Sequence, residues 1–378
     1  MEFLAGIWNY VVVFFIILTV VVFVHEAGHF LVARWNGVKV EVFSIGFGPE
    51  IWGWTAKSGT RWRVSLLPLG GYVKMFGDAD AASALGDDRP MTEAEKAVSF
   101  RHKRVGQRAA VVFAGPAANF IFTIVGLAIM FMVLGQQVTE PVIGELQAGM
   151  PAESAGLKVG DRVVAINGTA IDRFQDIQRI VRLELEQPLS IEVDRAGAHV
   201  TVVATPRIIE RKGMFGDLEK VPVLGIAVDG THTRIIKHNP LSAVALALRE
   251  TETMVTSTFV GIGQMVRGTR DSDELGGPIR IAKGAGEAAQ GGFTSVVFYT
   301  ILLSLNLGLI NLFPIPVLDG GHLVFYAFEA ILGRPLGEKA QEYGFRIGLF
   351  LVLALMVFAT RNDIVALPVW DMVKRLLS

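Results

Sequence analysis

The chain of 378 residues contains no cysteine. That excludes disulfides, cysteine-ligated metals and thiol nucleophiles, and leaves the redox compartment open. Charge is also scarce: Asp, Glu, Lys and Arg make up 19% of the residues and sum to a net charge of −1. Ordinary soluble domains carry about 25%. A globally basic nucleic-acid binder is excluded on that balance, so no nucleic-acid partner is expected. The start has neither the basic n-region nor the small-residue cleavage pattern of a removed signal peptide. No internal repeat is visible. What the chain has in quantity is apolar residues, 51% of the total, with a mean hydropathy of +0.46.

Those residues fall into four runs. The first, residues 11–24, continues as helix through HEAGHFLVARW and so reaches spanning length, which makes 1–37 a retained transmembrane helix. The second covers 109–134 inside segment 105–135. The third covers 294–318 inside segment 293–332, and the fourth, 347–360, opens the final segment 347–378. Arg101, Lys103, Arg104 and Arg108 crowd the end of the 77–104 loop and the start of the second span, and Arg334, Lys339 and Arg346 lie in or beside the short 333–346 connection. The positive-inside rule puts both loops in the cytoplasm. The N-terminal stretch MEFLAGIWNY, without Lys or Arg, goes outside; Arg361, Lys374 and Arg375 in the C-terminal tail run against this orientation. Between the first two spans, 38–76 alternates like strand rather than helix. It reads as a membrane-associated β-hairpin region whose edge could receive a substrate segment as an added strand. Residues 78–96 read as a solvated loop.

Residues 136–292 then lie on the outer face. Within 136–206 the order is strand, short helix at Pro151–Gly156, strand 162–166, a tight turn at Asn167-Gly168, helix 173–186, and strands 189–194 and 199–204 joined at Ala196-Gly197. This resembles a PDZ domain of the bacterial, protease-associated kind, which binds extended peptides by strand addition. The plain alternative is a small α/β domain without a ligand. Segment 207–292 offers a strand (VPVLGIAV), an amphipathic helix at 239–267 and a Gly-rich connection into the third span. The expected fold is a polytopic α-helical membrane protein of about four transmembrane helices, with a membrane-associated β-region and an inserted extracytoplasmic α/β PDZ-like domain.

The chemistry concentrates at HEAGH, residues 25–29. Histidines at i and i+4 share one helix face and can bind one Zn²⁺, and the intervening Glu26 can take a proton from a water on that metal. In a soluble chain two surface histidines flanking a glutamate would be an adequate account. On an apolar helix, unpaired ionisable groups cost free energy, so a functional site is the default reading. A catalytic zinc takes three protein ligands and keeps one position for water. The candidate third ligand is Asp319, which follows Pro314 and Pro316 in NLFPIPVLDGGH; alone it would read as a helix cap. His322, close by, reads as no ligand, and Asn119 as structural. Asn311 reads equally well as interhelical packing or as a donor to a substrate backbone.

HEAGH at 25–29, GFGP at 46–49, FAGPAANF at 113–120 and NLFPIPVLDGGH at 311–322 together resemble the site-2 protease family of intramembrane zinc metalloproteases, in particular its RseP-like group. The resemblance covers most of the chain. It implies Zn²⁺ held by His25, His29 and Asp319, catalysis by Glu26, and an unwound substrate held near Asn311 and Pro314. It implies regulated intramembrane proteolysis of a single-span membrane protein of the anti-sigma-factor kind, and possible work on remnant signal peptides. The setting it implies is a bacterial inner membrane, with the lipid bilayer around the spans, the PDZ-like domain periplasmic and binding peptide, and the active site toward the cytoplasm. The chain departs from the group in having a single clear PDZ-like copy. Two other readings remain: a membrane metal transporter using the His, Glu and Asp side chains, and an inactive PDZ membrane scaffold.

Overall fold

A computed structural model describes residues 2–78, 91–184, 186–212, 218–228, 233–269, 271–272 and 275–365. Most of the expected loop at 78–96, His232, and the C-terminal Lys374 and Arg375 lie outside the described residues. The chain opens with helix α1 (Glu2–Trp35), an antiparallel hairpin of β1 (Val40–Thr55) and β2 (Arg61–Met75), a short helix α2 (Glu93–Val98) and the long helix α3 (Val105–Val133). Then come β3 (Gln136–Thr139), β4 (Glu145–Leu146), α4 (Pro151–Ser154), β5 (Arg162–Ile166), β6 (Thr169–Ala170), α5 (Phe174–Leu183), β7 (Leu189–Arg195) and β8 (Ala198–Ala204). They are followed by β9 (Arg207–Lys212), β10 (Leu218–Val223), β11 (Ile226–Ala227), β12 (Thr233–Ile236) and helix α6 (Pro240–Val266). The last described elements are four helices: α7 (Pro278–Gln290), α8 (Phe293–Asn311), α9 (Asp319–Leu332) and α10 (Glu338–Val365).

Among the described residues, four stretches are long and apolar enough to cross a membrane: Tyr10–Trp35, Val105–Val133, Phe293–Asn311 and Lys339–Val365. They coincide with the four apolar runs. The third ends at Asn311 rather than 318, because Pro314 lacks the N–H that the next helical turn needs. The fourth begins well before 347: its polar first turns carry helix-forming Glu, Lys, Ala and Gln.

The chain forms two compact units. The first joins residues up to Leu127 with Gly276–Val365. Its α1 packs on β2, α7 and α8. Where α1 meets the hairpin, Phe43 stacks on Trp62 at 4.3 Å between ring centroids and receives the edge of Phe30 at 5.6 Å. Farther out on the hairpin, Phe47, Ile51, Trp52, Trp54, Leu66, Leu67 and Leu69 are exposed. In water such a two-stranded apolar sheet would be an aggregation site.

The stretch expected as a Gly-rich connection is instead largely helix α7. Its first turn has Pro278 at the N-terminus, and the buried Asp363 of α10 accepts from the backbone N–H groups of Gly277, Ile279 and Arg280 at 2.9–3.0 Å. A carboxylate from another helix therefore does what a local cap usually does. Gly284, Ala285 and Gly286 are buried in it, and a Cβ on Gly286 would overlap the Tyr10 ring.

The second unit, Ala128–Leu275, holds the four-stranded sheet β6-β5-β7-β8. Leu189, Ile191 and Val193 alternate inward on β7, and Phe174, Ile177, Ile180 and Val181 face the same core from α5. Asn167-Gly168 and Ala196-Gly197 both take positive φ at two successive residues, which suits a tight hairpin turn. The elements expected within 136–206 are thus all present. The boundary expected at 206 is crossed. Leu224 is buried in the same core, β11 pairs with β4, and β12 pairs with β3. Short strands with few alternating residues hide such pairings from a reading of local pattern.

Candidate metal centre

His25 and His29 lie on one face of α1, both buried, and their Nε2 atoms are 3.2 Å apart. Asp319 opens α9. Its Oδ2 stands 3.1 Å from His25 Nε2 and 3.5 Å from His29 Nε2. Among the described residues these three side chains form the group whose donor atoms converge within 4.8 Å. Oδ2 of Asp319 is buried and has no hydrogen-bond partner of suitable geometry. A buried carboxylate oxygen left in that state is costly unless something else neutralises it. Two imidazoles and a carboxylate form a donor set that zinc takes. Bonds of about 2.0–2.1 Å at tetrahedral angles separate neighbouring donors by about 3.3 Å, close to the spacing seen here. The residues fit the metal.

Close packing of glycines lets α1 and α3 approach. A Cβ on Gly28 would overlap the carbonyl oxygen of Ala114, and one on Gly115 would overlap the His29 ring and stand 2.9 Å from His25 Cε1. Pro116, one residue on, removes a backbone N–H from α3. His29 Nδ1 donates to the Val111 carbonyl oxygen at 2.9 Å, which leaves its Nε2 lone pair facing Asp319. His25 Nδ1 meets the side-chain amide of Asn119 at 3.2 Å.

Asp319 is set by a turn that tolerates no side chains behind it. A Cβ on Gly320 would overlap the Phe313 and Leu312 carbonyls, and one on Gly321 would stand 2.5 Å from Pro316 Cα. Just before it Val317 takes φ = 105°, a conformation that costs a β-branched residue about 1–3 kcal/mol. At the other end of α9, Glu329 is paired with Arg108 of α3 at 2.6 Å, and that guanidinium lies over the Tyr326 ring.

Glu26 is half-buried beside the histidines. Gly71 passes close by: a Cβ there would lie 3.6 Å from Glu26 Cγ and 2.7 Å from the Ser44 carbonyl oxygen. The hairpin therefore sits directly on the glutamate. Asn311 ends α8 half-buried, and Pro314 is exposed on the connection to α9. His322 stands outside the converging group, with its ring 5.3 Å from that of Phe345. The sequence reading took Asn119 as structural and did not single out Gly115 or Gly71. Gly115 and Asn119 both lie in the FAGPAANF stretch.

An apolar helical chain with a buried His-His-Asp centre and a glutamate beside it defines a membrane-helix metalloprotease class. The chain belongs to peptidase family M50, the site-2 protease family, whose model matches residues 13–355. It is 46% identical over 363 residues to "Putative zinc metalloprotease Atu1380" of Agrobacterium fabrum, covering 95% of this chain and 96% of that one. It is 40% identical over 372 residues to "Metalloprotease MmpA" of Caulobacter vibrioides, covering 92% and 93%. A solved PDZ domain of the SdrC-like protein from Listeria monocytogenes matches 22% of this chain and 82% of that one at 19% identity, with a TM-score of 0.19. A likeness of that size carries no argument about the fold. The protein is accordingly a zinc metalloprotease.

Proposed function

We propose that this zinc metalloprotease cleaves peptide bonds within transmembrane segments of single-span membrane proteins, using His25, His29 and Asp319 as zinc ligands and Glu26 as the catalytic residue. The observation that carries this reading is the buried Oδ2 of Asp319, without a hydrogen bond of its own, at 3.1 and 3.5 Å from two Nε2 atoms on a helix of spanning length. When bound, zinc supplies a Lewis acid that acidifies water and polarises a carbonyl. Glu26 takes the proton of the attacking water on a carboxylate oxygen and returns it to the leaving nitrogen. The hairpin packs against that carboxylate at Gly71, and the two histidines keep their Nε2 atoms turned to the centre. Asn311, at the end of α8, and Pro314, on the connection to α9, would hold an unwound substrate backbone. A peptide bond in a spanning helix is hydrogen-bonded and dry, so local unwinding has to precede attack.

The finer setting belongs to the same proposal. The 136–236 region acts as a PDZ-like domain on the periplasmic side of a bacterial inner membrane, excludes substrates with bulky outer domains and admits trimmed ones. The substrate class is the anti-sigma-factor kind, cut after a first cleavage elsewhere. A transporter would be expected to show repeated or inverted ligand-bearing helices, which this sequence lacks.

The experiment is reconstitution of the purified protein with a single-span substrate, with and without a chelator, beside Glu26→Gln. Cleavage restored by zinc and reduced at least a hundredfold by Glu26→Gln, with zinc content unchanged, is the expected result. Undiminished cleavage by Glu26→Gln would sink the mechanism.

A further inference from the structure

The two histidines differ in what holds their far nitrogen. His29 Nδ1 faces a main-chain carbonyl, an acceptor that cannot turn. His25 Nδ1 faces Asn119, a side chain with no solvent exposure, at 3.2 Å. Asn119 is itself gripped. Ser304 of α8, equally buried, lies 3.2 Å from its Oδ1 and 3.3 Å from its carbonyl oxygen, and Thr123 donates to that same carbonyl at 2.9 Å. Gly308 leaves room for it: a Cβ there would stand 3.1 Å from Asn119 Cβ.

An amide is planar and its two ends are alike in size. With Nδ2 toward His25, the imidazole accepts at Nδ1 and carries its proton on Nε2, the nitrogen that faces Asp319 Oδ2. Turned by half a revolution, Oδ1 accepts from His25 Nδ1–H and frees the Nε2 lone pair for a metal. Nδ2 then donates to Ser304 Oγ, whose single proton goes to the Asn119 carbonyl. Both arrangements fill the same two positions, with Oδ1 and Nδ2 exchanged. A ligating histidine needs its other nitrogen to donate, and the partner that accepts fixes both tautomer and ring orientation.

We propose that Asn119 is a positioning residue for zinc binding: it sets the tautomer and orientation of His25 through its side-chain amide, and Ser304 holds that amide. This rests on the zinc-site reading above and adds to it a residue outside the ligand set. It also predicts a sign. Aspartate at 119 only accepts, so it favours the metal-binding tautomer. Leucine at 119 has nearly the same shape and offers nothing.

The test is a zinc titration of the full-length protein in detergent against a chromophoric chelator, for the wild type, Asn119→Asp, Asn119→Leu and Ser304→Ala. Thermal melts of each metal-free form check folding. Asn119→Leu should bind zinc roughly 10–100-fold more weakly, Ser304→Ala should lie between it and the wild type, and Asn119→Asp should match or exceed the wild type. Wild-type affinity in Asn119→Leu would overturn the proposal. So would an equal loss in Asn119→Asp and Asn119→Leu, which would mean a packing role. A wild-type protein that binds no zinc would instead overturn the zinc-site reading beneath it.

Discussion

Asp319 Oδ2 and His25 Nε2 meet at 3.1 Å, although one side chain opens the ninth helix and the other lies on the first. Neither half can hold the metal well alone. Asp319→Ala should leave two imidazoles, which is below the three protein ligands of a catalytic zinc. Metal analysis of the purified variant should read well under one zinc per chain. Stoichiometric zinc in Asp319→Ala would rule out its ligand role.

Gly115 is the space in which the two imidazoles sit. Gly115→Ala should push the rings apart and lower zinc affinity while leaving a folded protein, since overpacking of this kind costs about 1–3 kcal/mol. Gly106→Ala, where nothing lies within 4 Å, is the matched control on the same helix. If both variants retained zinc equally, the fit of Gly115 to the rings would be immaterial.

The second unit carries a pH-sensitive clamp. Asp161 is almost wholly buried, which pushes its carboxyl up. The bidentate Arg195 guanidinium at 2.7 Å and the Lys158 N–H at 2.8 Å outweigh burial and hold it below its ordinary value. A carboxyl depressed in the fold contributes stability that is fully present above the unfolded value, about 3.9, and is lost as pH falls through the folded one. Asp161→Asn should therefore speed hydrogen exchange in β5 and β7 at pH 7. Toward pH 2, after correction for intrinsic rates, variant and wild type should converge. A gap that persisted undiminished at acid pH would mean the clamp is not electrostatic.

Gln136 of β3 is paired with Ile236 of β12. Replacing 137–235 by a short flexible linker should keep cleavage of short substrates and admit ones with larger outer domains. Deleting only 143–205 should do worse, because it strips β5, β7 and α5 from a core that Leu224 and β11 share. Loss of all cleavage after the clean excision, with zinc still bound, would argue against a gating role.

Much of this was legible because it is periodic or covalently local. HEAGH repeats at helix spacing, the spans are runs of one kind of residue, and the Asn-Gly turn demands its own backbone. Asp319 was legible only by pairing two distant motifs. Asn119 was not, because an asparagine on an apolar helix looks the same whether it binds a neighbouring helix or a histidine ring. Helix α7 was hidden by its glycines: its start is capped by Asp363, far along the chain, and its small residues are there for the Tyr10 and Tyr299 rings. The glycines at 71 and 115 register only as missing side chains, and what they make room for is visible only when the partners are in place.

The order in which the ligands leave the ribosome has its own meaning. His25 and His29 are made first, in α1, and Asp319 is made only after α8. Until α9 turns back, the nascent enzyme holds an incomplete metal site beside an intact glutamate. The three donor side chains are therefore brought together only once α9 has been made.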